Sequence, residues 1–178
     1  MKSILRITGG FLKGRLVKPV PDPRTRYTGS MVRQAIFNMI DVKDKTFLEL
    51  FCGSAVVSIE AISRGAKSAT VVDISPLALK TALQNAENCG IKLEAVRADF
   101  KVFLKNCSKD FDIVFADPPY NAGYVDELLK ILAEKPNVGS LIVIEKAFRE
   151  TYDKPTEFEI LKSKRYGDSE VVILERRK

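Results

Sequence analysis

Residues 115–124, FADPPYNAGY, end an apolar run on a carboxylate and follow it with two prolines and a tyrosine. Each proline fixes its own φ, lacks a backbone donor and biases the residue before it to extended backbone. Asp117, Pro118, Pro119 and Tyr120 therefore form a turn that is held still. Three other places carry residue types with the same promise. ELFCGSAVVS sets Glu49 and Phe51 ahead of a turn at Gly53, Ser54 and Ala55, where glycine permits close backbone approach. SATVVDI ends on Asp73 and Ile74, and Asp73 follows Gly53 by the 20 or so residues at which an acid commonly receives ribose hydroxyls. RADF supplies Asp99 and Phe100. A glycine turn, a ribose acceptor and a base-edge acceptor are what an adenosine requires. A dinucleotide is disfavoured, because G-x-G-x-x-G over a pyrophosphate is absent: Ala55 and Ser58 stand where the second and third glycines would be. No Walker lysine follows either. Taken singly each feature has a plainer reading: Asp99 could be only a helix cap, Asp73 a solvated acid and the prolines a stop signal.

Bringing these four places to one edge takes a parallel sheet. The apolar runs TFLELF, SATVVDI, LEAVRA, DIVFA and SLIVIE alternate with helical stretches through AVVSIEAISR, LALKTALQNAEN, a helix from about Phe100 and another from about Tyr124 to Glu134. Ser75 and Pro76 read as an N-cap and first-turn proline, and Gly65 and Gly90 as stops. Strands that alternate with helices form an α/β sheet covered on both faces, whose ligands sit outside the strands' carboxyl ends. FEILKSKRY-GDS-EVVILER reads as a closing antiparallel hairpin that adds an edge strand. Ahead of the sheet, SILRITGG-FLKG-RLVKPV reads as a small basic hairpin, PDPRTRYTGS as a stiff loop and MVRQAIFNMI as an amphipathic helix that Thr28 or Ser30 could cap. The division expected is a basic extension over residues 1–41 and a core over residues 42–178.

Charge follows that division. Residues 1–35 hold eight basic side chains against Asp22 alone, so the other 143 residues sum to about −1 of the net +6. A basic segment on a near-neutral body is the footprint of a protein that meets a polyanion, and equally of a solvated surface. With no histidine, His triads, His metal sites and His general bases are excluded. Three cysteines without C-x-x-C spacing fit thiols in a reducing compartment. No apolar run nears the ~20 residues of a membrane span. A soluble cytoplasmic protein is expected.

Taken together, RITGGFLKGRLVKPV, RYTGSMVRQAIFNMI, LELFCGSAVVSIEAISRGA, FADPPY and YGDSEVVILER resemble the RsmD family, bacterial guanine-N2 methyltransferases of small-subunit ribosomal RNA. These are class I enzymes with a Rossmann-like, mostly parallel seven-stranded sheet. ADPPY resembles the [DNS]-P-P-[YFW] motif of enzymes that methylate exocyclic or amide nitrogens. The resemblance implies S-adenosyl-L-methionine as cofactor, with Glu49, Phe51 and Gly53 at its methionine end, Asp73 and Ile74 at the ribose, and Asp99 and Phe100 at the adenine. Ser54 and Ala55 complete that turn, Asp117 also meets the cofactor, and Tyr27 and Thr28 close over the pocket. Asp117 and the carbonyl of Pro118 would accept from the target amine while Tyr120 stacks on a flipped-out base. Lys13, Arg15, Arg24, Arg26 and Arg33 would hold RNA phosphates. Ribosomal RNA, in an assembling or assembled small subunit, is the implied partner, with a monomeric enzyme and no metal. Two departures stand out: Ala55 replaces the second glycine of G-S-G, and Tyr27 the proline of R-P-T.

Competing readings share parts of this pattern. An adenine-N6 or cytosine-N4 DNA methyltransferase has the same motif but usually adds a target-recognition region. A protein amide methyltransferase favours Asn at position 117. A non-catalytic nucleotide or RNA-binding module has no need of D-P-P-Y.

Overall fold

The computed structural model describes residues 5–178; Lys2 of the basic segment, and Ser3 and Ile4 of the expected hairpin, lie outside the described residues. The strands β1 (Leu5–Arg6) and β2 (Leu16–Val17) pair antiparallel, and α1 (Ser30–Met39) follows. Strands and helices then alternate through β3 (Thr46–Leu50), α2 (Val56–Ser63), β4 (Ser68–Asp73), α3 (Pro76–Asn88) and β5 (Glu94–Arg97). The alternation continues through α4 (Phe100–Asn106), β6 (Phe111–Ala116), α5 (Tyr124–Ala133) and β7 (Val138–Ala147), and β8 (Phe158–Tyr166) and β9 (Ser169–Arg176) close the chain.

One seven-stranded sheet runs in the order β5-β4-β3-β6-β7-β9-β8, parallel from β5 to β7. The closing hairpin is present, but its antiparallel strand β9 lies inside, against β7, and β8 forms the edge. Composition decides this. β9 buries Val171, Val172, Ile173 and Leu174, whereas β8 is exposed from Glu159 to Arg165, and its Lys162, Lys164 and Arg165 discourage further strand pairing. The order of connection reverses between β3 and β6, so the ends of these two strands flank the switch point.

Successive residues of a strand face opposite sides, and both sides are buried here. Phe47 joins one cluster with Ile36, Phe37, Ile59 and Phe115, while Leu48 joins the other with Leu104, Leu128, Leu129 and Phe158. The N-terminal segment contributes Leu5, Ile7, Leu12 and Val17 to the first cluster, so its hairpin and α1 share a core with the sheet. Polar ties fix it further: the Ser63 hydroxyl accepts from Leu12 N (2.8 Å) and donates to the Gly9 carbonyl (2.6 Å). Gly10 takes φ +79° against α2, where a Cβ would fall 1.9 Å from the Ser63 carbonyl oxygen, so only glycine fits. Among the described residues no helix is long and apolar enough to cross a membrane.

Helix caps come out differently at two helices. Ser75 caps α3 as its type suggests, accepting from Ala78 N at 3.2 Å. Gly29 is the N-cap of α1, with no side-chain bond, so neither Thr28 nor Ser30 caps it. The Thr28 hydroxyl is engaged elsewhere, on Glu145.

Candidate active site

The end of β3 is wound tightly. Phe51 (φ 57°), Gly53 (φ 52°) and Ala55 (φ 63°) all take left-handed backbone, and Ala55 is the N-cap of α2. Left-handed φ costs an L-residue roughly 1–2 kcal/mol, which explains why a glycine suits position 55 and what its replacement by alanine incurs. The turn is held by Asp73, whose Oδ2 accepts from Gly53 N (3.0 Å) while Oδ1 accepts from Ser75 N (2.9 Å). Asn85 of α3 clasps it from behind: its amide donates to the Ser54 carbonyl (3.1 Å) and the Lys18 carbonyl (2.9 Å), and its Oδ1 accepts from Lys18 N (2.9 Å).

A hollow of about 120 Å³ opens beside this turn. Asp73, Ile74, Asp99, Phe100 and Phe51 line it, and Pro119 of the rigid turn forms one wall. Asp99 also caps α4, accepting from Lys101 N (2.8 Å), so the plainer role suggested by sequence is real as well. Aromatic rings gather here: Phe51 and Phe100 have centroids 5.0 Å apart, and Tyr124 lies 6.1 and 5.5 Å from them. Tyr124 was not foreseen as a lining residue, although AGY at a helix start placed it next to D-P-P-Y. Apolar and aromatic walls with carboxylates at the rim match an adenosine.

Glu49, Gly53, Ser54, Ala55, Tyr27, Thr28 and Asp117 are not part of that lining. Glu49 is buried on β3, and its Oε1 accepts from Ser58 N (3.0 Å) and Ser58 Oγ (2.6 Å). Burial pushes its carboxyl up to about 8 against those bonds, and nearby Asp117 and Asp73 add to the rise. The Ser54 hydroxyl is buried without a partner. Tyr27 was expected to close over the pocket; its ring packs on the first core cluster instead, and its hydroxyl donates to the Val20 carbonyl at 3.2 Å.

Beyond Pro119 lies the second half of the site. Arg26 donates to Asp117 Oδ1 at 3.0 Å, and its guanidinium carbon sits 3.4 Å from the centroid of the Tyr120 ring. Burial and the nearby Glu145 carboxylate push Asp117 up to about 7, with Arg26 opposing. Glu145, on β7, is raised by burial while Thr28, Arg26 and Ser169 oppose. Thr28 donates to Glu145 Oε2 at 2.7 Å. The acid pair was only half legible. SLIVIE closes on a carboxylate as SATVVD and DIVFAD do, and that repeated ending was the signal for Glu145.

Of the basic residues expected to face RNA, Lys13, Arg15, Arg24 and Arg26 are exposed. Arg24 is paired with Asp22 at 2.8 Å and Arg15 donates to the Asn88 carbonyl. Arg33 is a correction: it is fully buried, donates to the Thr28 and Arg6 carbonyls, and lies 3.5 Å from Glu60. An arginine on the apolar face of α1 completes an internal network in which Glu60 also receives Thr8 N (2.9 Å) and Arg64 Nε (3.1 Å). Cations from the other end of the chain were missed. Arg149 and Arg165 line a hollow of about 320 Å³ next to Tyr120, with Arg165 over the half-exposed Phe148 ring at 3.9 Å. Summing charge over the near-neutral body hid them.

Comparison with known proteins agrees with this architecture. The family model described as "Conserved hypothetical protein 95" matches residues 5–175. The chain is 32% identical over 168 residues to the ribosomal RNA small subunit methyltransferase D of Buchnera aphidicola, covering 91% of this chain and 88% of that protein. It is 31% identical to the protein of the same name from Escherichia coli K12, over 73% of this chain and 67% of that one. The solved structure of yhhF from Escherichia coli superposes with a TM-score of 0.87 at 26% identity, covering 98% and 99% of the two chains. The family model's match runs from the basic hairpin into the last strand, and the chain belongs to the ribosomal RNA small subunit methyltransferase D family.

Proposed function

We propose that this methyltransferase transfers the methyl group of S-adenosylmethionine to the exocyclic N2 amine of a guanine in 16S ribosomal RNA. One observation carries the reading: Pro119 lines the hollow beside Asp73, Asp99 and Phe100, while Asp117 and Tyr120 on either side of the proline pair face the second half of the site. A single rigid turn thus holds cofactor and target against each other.

When bound, S-adenosylmethionine supplies an electrophilic methyl on a cationic sulfur, which keeps the C–S bonding pair as the new N–C bond forms. The protein's part is positional and electrostatic. A ring amine is a poor nucleophile because its lone pair is delocalised; a carboxylate accepting from its N–H favours the pyramidal geometry that frees the pair. Asp117 is placed for this, pre-set by the prolines so that nothing must reorganise at the moment of reaction. With a carboxyl near 7, Asp117 can also take up the amine's surplus proton at neutral pH. Tyr120 offers a π-face for the flipped base, worth about 1–3 kcal/mol by stacking. Burial raises the carboxyls of Glu49, Asp117 and Glu145, and a cationic donor bound beside them favours their ionised forms. Beside Tyr120, Arg149 and Arg165 suit phosphates, which position RNA without reading it.

The test uses tritiated S-adenosylmethionine and small ribosomal subunits from a strain lacking this gene, with duplex DNA in parallel. Label in N2-methylguanosine, lost with Asp117→Ala, is the expected result. Label in DNA as N6-methyladenine, or none in either substrate, would overturn it.

A further inference from the structure

Arg26 occupies the slot between the Tyr120 face and the Asp117 carboxylate, and its shape says what that slot accepts. A guanidinium is a flat carbon bonded to three nitrogens, with N–H donors along its edge. C2 of guanine is the carbon of such a unit, bonded to N1, N2 and N3, and its N1–H and N2–H point along one edge. Adenine and cytosine present one amine donor beside a bare ring nitrogen, an acceptor.

A second carboxylate stands where the second donor would need it. In the parallel register Ala116 pairs with Ile144, so Asp117 and Glu145 each follow the paired residue on neighbouring strands, which lie about 4.8 Å apart. Glu145 is only 6% exposed, and the Thr28 hydroxyl fixes it through Oε2. Arg26, Asp117 and Glu145 act on one another electrostatically. Two adjacent acids attract a donor–donor edge and repel a ring acceptor.

We infer that Glu145 is a specificity residue: with Asp117 it reads the N1–H/N2–H edge of guanine, and Arg26 is an internal stand-in that the incoming base displaces. The inference rests on the function proposed above and adds the reader of N1–H. Asp117 faces the reacting amine, and Glu145 faces the neighbouring ring N–H. Arg26, once displaced, is free to meet the phosphates that flank the flipped nucleotide.

The test exchanges guanine for 2-aminopurine, which keeps the N2 amine but bears an acceptor at N1. After nucleoside mapping of the labelled subunit, two synthetic 16S fragments carry either base at the target position. The wild type should prefer guanine in kcat/KM by about tenfold to a hundredfold, the range for one well-placed base-edge contact. Glu145→Gln keeps an oxygen for Thr28 and turns a donor toward N1, so it should lose most of that preference through 2-aminopurine gaining as guanine falls. Unchanged discrimination in a folded, cofactor-binding Glu145→Gln overturns the inference, even where guanine methylation itself is confirmed. Failure of the wild type to label guanine would instead sink the proposed function. Arg26→Ala gives a measurement independent of how Glu145→Gln folds: millimolar methylguanidinium should inhibit it several-fold more than the wild type, with urea as control. Equal inhibition of the two proteins overturns the stand-in role.

Discussion

Replacing Asp117 with asparagine removes the charge of the acceptor and keeps its shape, and the structure sets what should follow. The free protein holds Asp117 at about 7, so its ionised, accepting form disappears as pH falls through that value. With both substrates well below saturation, kcat/KM belongs to the free protein, and it should rise with pH through an acid limb near 7. Asp117 and Glu145 are neighbours, so the limb reports the pair and not one carboxyl alone. Asp117→Asn should take away the limb near 7 and leave only what Glu145 contributes. A hydrogen bond to a charged group contributes roughly 1.5–3 kcal/mol, so the rate above pH 8 should fall about 10- to 150-fold. Arg26→Ala acts on the same limb from the other side. Arg26 is 42% exposed on its side chain, and so open a pair is worth about 1 kcal/mol or less after screening. The limb should therefore move to higher pH by about 0.7 units or less. Initial rates of methyl transfer from pH 5 to pH 9, in buffers of constant ionic strength, measure all three proteins. A flat wild-type profile, or a limb that Asp117→Asn leaves unchanged in position and height, refutes the assignment.

Tyr120→Ala should raise KM for the RNA by roughly 5- to 150-fold, from the stacking energy of one base, while calorimetric affinity for S-adenosylmethionine stays unchanged. Arg33→Ala strips a cation from buried Glu60 and should lower stability in urea by about 3 kcal/mol. The salt dependence of its RNA binding should stay as in the wild type, since a phosphate contact would shift that slope by about one. Glu49 stays protonated up to about pH 8 in the folded protein, whereas the unfolded chain ionises in the ordinary carboxylate range, so this residue's contribution lowers stability as pH rises between the two. A cationic donor bound nearby favours the carboxylate. Affinity for S-adenosylmethionine relative to neutral S-adenosylhomocysteine should thus climb between about pH 6 and 9, and Glu49→Gln should flatten the trend in paired calorimetric titrations.

The strand–helix alternation was legible because each core strand is an apolar run bounded by a cap, a glycine or an acid, and Ser75 with Pro76 even marked its helix start. Strand order was less so. That β9 lies inside β8 follows from long-range burial of its apolar run, which local pattern ranks only weakly against FEILKSKRY. Asp73, Asp99, Phe100 and the D-P-P-Y turn stood out because their residue types are strange at strand ends. Arg33 misled because charge was counted without asking which face of α1 it shares with Val32, Ile36 and Phe37. Glu145 needed the register of two strands 28 residues apart in sequence. Arg26 over Tyr120 needed the fold itself.

The clasp of Asn85 has a thermodynamic side. One buried amide touches the chain at Lys18, a few residues before Arg24 and Arg26, and the turn at Ser54 beneath the cofactor hollow. Both segments thus lean on one side chain, and Asn85→Ala would leave the Lys18 amide and the Ser54 carbonyl without that partner together. Were RNA to tighten the grip on the methyl donor through this clasp, the donor would tighten the grip on RNA by the same factor.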